Sequence, residues 1–153
     1  GQPHVSTVQF AQTIATGYHQ AVTLHFETMS GGGKIINNAP NVIPLYNGIL
    51  SVCQANMNTH APVQLLTQIT PYITAYWSTG ITIIGPLATI NVISPGVYTG
   101  LPIVQNNNFS ILVDTMIMCF RTHIATLVGI CTYQTVIPPI VVPWSGTTLI
   151  SIG

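Results

Sequence analysis

The chain has 153 residues, the size of one domain, and its formal net charge is zero because Lys and Arg number 2 and Asp and Glu number 2. Charged residues make up 3% of it, against about 25% in an ordinary soluble domain, so Lys34 and Arg121 cannot form the cationic cluster that nucleic acid or an anionic membrane surface requires. An apolar content of 48% excludes disorder, and no run reaches the roughly 20 apolar residues of a membrane helix, because Gly85-Pro86 and Asp114 break the two best candidates.

From the N-terminus, Val5 to Thr16 alternates, with Val8, Phe10 and Ile14 on one face and Thr7, Gln9 and Thr13 on the other. His19 to Thr28 does the same, with Val22, Leu24 and Phe26 opposed to His19, Thr23, His25 and Glu27. Gly31-Gly32-Gly33 marks a turn, and Ile49 to Asn56 is ambiguous between strand and helical turn. Gln64 to Trp77 and Ile81 to Ile93 read as further β structure, with Pro71 and Pro86 at edges or bulges. Phe109 to Thr122 is apolar on both sides of an alternation, the pattern of a central strand covered on both faces. Thr122 to Thr126 then supplies a hairpin turn into Ile124 to Ile137, and Thr147 to Ile152 closes the domain. Abundant Ile, Val, Thr and Tyr, punctuated by Pro and Gly, predict one all-β domain over residues 1–153, an antiparallel β-sandwich of jelly-roll type.

Few residues offer chemistry. His19, His25 and Glu27 share one face of the predicted strand and are the weak candidates for a metal ion, although neighbours two apart on a strand stand nearly 7 Å apart. His25-Phe26-Glu27 lacks the Pro-Cys-x-x-Cys partner of zinc deaminases, and Gly31-Gly32-Gly33-Lys34 lacks the flanking residues of a phosphate loop. Asp114, the one aspartate, has no nucleophile elbow to serve and is expected to be hydrogen-bonded or paired with Arg121. Cys53, Cys119 and Cys131 read as buried thiols, with a Cys119–Cys131 bridge as the alternative. Asn108-Phe109-Ser110 is a glycosylation sequon. No catalytic residue, metal or cofactor is predicted.

Thr, Ser, Asn and Gln make the surface polar without making copies repel one another, so a neutral, apolar-rich chain is expected to associate with itself. The start at Gly1, without Met, suggests a processed, extracellular product. The expected function is a non-enzymatic, self-assembling extracellular structural protein, a subunit of a filament or of a virion coat. Residues 1–17 would be a strand exchanged with the neighbouring subunit, placing Val8, Phe10 and Ile14 in the interface. The alternative is a trimeric jelly-roll head that binds a receptor or glycan through aromatic residues such as Tyr46, Tyr72, Tyr76, Trp77, Tyr98 and Trp144.

Overall fold

A computed structural model describes residues 7–35, 39–55, 62–78, 80–84, 87–94, 109–134 and 137–150. It corrects the all-β expectation. Among the described residues there are four α-helices, α1 (Thr7–Met29), α2 (Val42–Ala55), α3 (Pro62–Tyr76) and α4 (Phe109–Ala125). They accompany one antiparallel sheet of five strands in the order β1 (Lys34–Ile35), β2 (Ile81–Ile84), β3 (Ala88–Ser94), β4 (Val128–Tyr133) and β5 (Ile140–Ser145). Neither a sandwich nor a jelly roll is built, because a sandwich needs a second sheet and the chain spends that sequence on helix.

From Thr7 on, the first two predicted strands are one helix. Ala11, Ile14, Ala15, Tyr18, Ala21, Val22 and Phe26 are buried along α1 at intervals of three and four, the helical period, while Val8 and Leu24 of the supposed apolar strand faces lie exposed. The β-branched residues are accommodated by a local device: the hydroxyls of Thr13, Thr23 and Thr28 donate to the carbonyls of Gln9, His19 and Leu24, four residues back, at 2.8, 2.9 and 2.8 Å. Thr74 in α3 and Thr122 in α4 do the same. The predicted turn at the end of α1 is where the helix stops. Gly31 takes φ 66°, Gly32 N–H donates to Glu27 O and Gly31 N–H to Thr28 O, the paired bonds of a Schellman cap that favours glycine at the left-handed position.

The predicted central strand from Phe109 is α4. Met116, Cys119, Phe120, His123 and Ile124 form its buried stripe, and its two charges, Asp114 and Arg121, stand exposed seven residues apart on its outer side. Asp114 therefore carries no burial cost to be offset. Pro71 lies inside α3 on its exposed side and is not a strand edge. Pro62 is at the first helical position, where a missing N–H costs nothing. Of the predicted strands, Ile81 to Ile93 holds best, as β2 and β3; of Ile124 to Ile137, only Val128–Tyr133 is strand among the described residues.

One core joins helices and sheet. The sheet contributes Ile81, Ile83, Ala88, Ile90, Cys131 and Trp144 from one face. Phe26 of α1 stacks on Trp144 at 5.5 Å and 17°, and Ile150 N–H donates to Met29 O, tying the chain after β5 to the end of α1. The helices are thus gathered against one side of a two-layer α/β structure.

Candidate interaction surface

Strand registration places Ile81, Ile83, Ala88, Ile90, Gly129, Cys131, Val142 and Trp144 on the inner side of the sheet, so the alternate residues face outward. One outward row is Thr82, Thr89, Thr132 and Val141, on successive strands. The next is Asn91, Ile130 and Pro143. Beyond it lie Val128 and Ile93, the latter in a β-bulge where the β3–β4 register shifts between Val92 and Ser94. Ile93 is 69% exposed, Val141 56% and Val128 51%, so none of the described helices covers this face. None of these residues is charged; Lys34, opposite Ile84 on β1, stands at the far edge.

Two hydroxyls of the polar row, those of Thr82 and Thr89, are partnered. Thr82 and Thr89 share a hydrogen bond at 3.2 Å, and Gln134 Nε2 donates to Thr89 Oγ1 at 2.9 Å. Covering such a row costs less than covering hydroxyls that depend on water. The rims of the sheet are less receptive. β1 is two residues long, and on β5 Pro143 has no N–H while the N–H of Ser145 is taken by Thr148 Oγ1 at 3.0 Å.

The residues singled out from sequence are dispersed. His19 Nδ1 meets the hydroxyl of Tyr76 at 3.0 Å, whereas His25 Nε2 donates to the carbonyl of Gly146, and Glu27 is half-buried further along α1. A helix turns about 100° per residue, so positions that share a strand face diverge here, and no group of three or more metal-ligating side chains forms among the described residues. Ile14 is fully buried in the chain's own core, Phe10 packs against it and Val8 is exposed, so the 1–17 strand to be donated is instead, from Thr7, the first part of α1. Cys53, Cys119 and Cys131 are free thiols; burial pushes Cys53 up to about 11 and raises Cys131, which keeps both protonated and unreactive at neutral pH. Asn108 lies outside the described residues.

Of the aromatics proposed as stacking platforms, Tyr76, Trp77 and Trp144 are core residues and Tyr98 lies outside the described residues. Tyr18 is the centre of that cluster. Its oxygen accepts the Trp77 Nε1–H at 2.7 Å, and its ring meets Tyr76 and Phe120 edge to face, each at 5.1 Å. Desolvation holds the Tyr18 phenol far above its ordinary range, so it stays neutral.

No family model, curated protein or solved structure matches this chain. Its residues and their geometry therefore carry the functional reading.

One titration prediction arises from the cluster. Partial burial lowers the pKa of His19 below its ordinary value, and Nδ1 of the ring is hydrogen-bonded to the Tyr76 hydroxyl. The unfolded chain, titrating near pH 6.5, then binds a proton more readily than the folded one. Stability contributed by neutral His19 is full above about pH 6.5 and declines as pH falls through the lowered folded value, below which it is lost. Urea midpoints across this range are expected to fall less in His19→Gln than in the parent; equal falls would show that His19 is not linked to folding.

Outward residues such as Val128, Ile130 and Val141 were not singled out from sequence. Their signal was present: β4 and β5 are apolar on alternate positions of both parities, which marks a strand expected to be covered twice.

Proposed function

We propose that this chain is a non-enzymatic structural protein that works outside the cell by assembling with copies of itself. The single observation that supports this reading most is a sheet face on which Ile84, Ile93, Val128 and Val141 are exposed and the one charge, Lys34, stands at the β1 edge, on a chain whose formal net charge is zero. Burying aliphatic surface favours contact at about 25 cal/mol per Å², and no net charge opposes the approach of a second copy. A surface with four ionised side chains in all responds little to salt, which suits a setting whose ionic conditions vary. The corrected fold removes strand donation and the jelly-roll coat or head as routes to assembly, but leaves the composition that favours association untouched.

Sedimentation velocity over a range of protein concentrations tests the reading. The sedimentation coefficient is expected to rise with concentration, and to rise equally at low and high salt. A single monomeric species at every concentration would overturn self-association.

A further inference from the structure

We propose that Asn47 is a modification site, whose side-chain amide is converted to aspartate or isoaspartate when α2 opens from α3 and is protected while the two helices are closed. Asn47-Gly48 is the one Asn-Gly pair in the sequence, a dipeptide that marks tight turns, yet it stands inside α2 between the buried Leu45 and Ile49. Asn47 is exposed and Gly48 is buried. Packing explains the glycine: α2 lies against α3, and a Cβ on Gly48 would overlap Cγ and Cδ1 of the Tyr72 ring. The pair is labile because a glycine nitrogen, with no side chain beside it, can reach the amide carbon of the asparagine before it. The Gly48 nitrogen attacks Cγ of Asn47, its proton leaves with the side-chain nitrogen as ammonia, and a cyclic imide closes; water then opens the imide at either carbonyl. Water is consumed and ammonia released, and nothing is oxidised or reduced.

In the closed helix this step is blocked twice. Helical geometry commits the Gly48 N–H to the carbonyl of Pro44, and it fixes ψ of Asn47 where Cγ is held away from the Gly48 nitrogen. The reaction therefore waits on opening, and both helices of the pair carry a residue that weakens them. Gly48 is a poor helix former in α2, and Pro71, next to Tyr72 inside α3, lacks the N–H that would bond four residues back. Conversion then alters what can close again. Aspartate at position 47 takes the formal net charge from zero to minus one. Isoaspartate adds a methylene to the main chain between Leu45 and Ile49, both fully buried, so the two can no longer return to the core together in helical register. The site thus makes a prolonged opening of α2 irreversible.

The test incubates the full chain at one pH and temperature, in native buffer and in urea above the unfolding transition, and follows Asn47 in its proteolytic peptide by mass spectrometry. Conversion is expected in both, slower in the native chain by about tenfold or more, because only the opened fraction reacts. Pro71→Ala, which restores the missing helix donor, is expected to slow the native rate by about a further tenfold while leaving the rate in urea unchanged. Equal rates in buffer and in urea would show that α2 does not protect the pair, and an Asn47 that stays intact in urea would show that it is no modification site. A native rate unmoved by Pro71→Ala would sink the opening of α2 from α3 as the controlling step. Should Pro71→Ala fail to fold, hydrogen exchange at the Gly48 amide of the parent takes its place: exchange by a local opening, faster than global unfolding, supports the proposal, and exchange only through global unfolding overturns it.

Discussion

Gly129→Ala is expected to destabilise the protein by about 3 kcal/mol or more, the upper end of what overpacking costs. A Cβ on Gly129 would collide with the carbonyl oxygen of Asn91 and lie 2.9 Å from the Asn91 carbonyl carbon and from Val92 Cα. Those atoms are backbone. They cannot rotate aside as a side chain would, and they belong to β3, which is held to β4 through six registered residue pairs at the centre of the sheet. Relief requires β3 to lift away from β4 next to the bulge. Gly17→Ala provides the contrast: its Cβ would stand 3.3 Å from Cγ1 of Ile117, a side-chain atom that needs to give only a few tenths of an ångström. Replacing glycine inside a helix gains about 1 kcal/mol of propensity, so this change is expected to be neutral or stabilising. Urea unfolding of the two variants checks both signs. Equal midpoints would mean that β3 and β4 are not closely packed at Gly129.

The second large effect is at Phe26. Its ring is fully buried, stacked on Trp144 of β5 and 6.0 Å from Trp77 just after α3, so it joins three parts of the chain that are distant in sequence. Phe26→Ala is expected to cost about 3–5 kcal/mol, from lost transfer energy and the cavity left between rings that cannot collapse onto it. That is a large part of the 5–15 kcal/mol that usually holds a domain folded. Leu24→Ala, two residues away and exposed, is expected to cost less than about 0.5 kcal/mol. A strand would put Leu24 and Phe26 on one face and make them similar in cost; the helix puts them on opposite sides. Denaturant midpoints for the pair therefore test the corrected fold as well as the core.

The misreading of α1 and α4 has a specific cause. In a chain that is 48% apolar, an alternation such as Val22, Leu24, Phe26 arises by chance, and Thr and Ile at high frequency lend it strand propensity. The competing period was legible. Ala11, Ile14, Ala15, Tyr18, Ala21 and Val22, then Met116, Cys119, Phe120, His123 and Ile124, fit the three-and-four spacing of a helix more completely than they fit alternation. Propensity was outweighed by packing, aided by threonine hydroxyls that bond to their own helix backbone.

By itself the sequence determined the scarcity of charge, the turn at Gly31 to Gly33 and the β structure of Ile81 to Ile93. These follow from composition and local backbone preference, which need no partner distant in the chain. Only the tertiary structure decided which side of the sheet the helices cover. Strands apolar on both parities are equally suited to burial on either face, and the choice was made by long-range contacts, with Phe26 on Trp144 and Met29 on Ile150 drawing the helices to one side and leaving Ile130 and its neighbours facing outward.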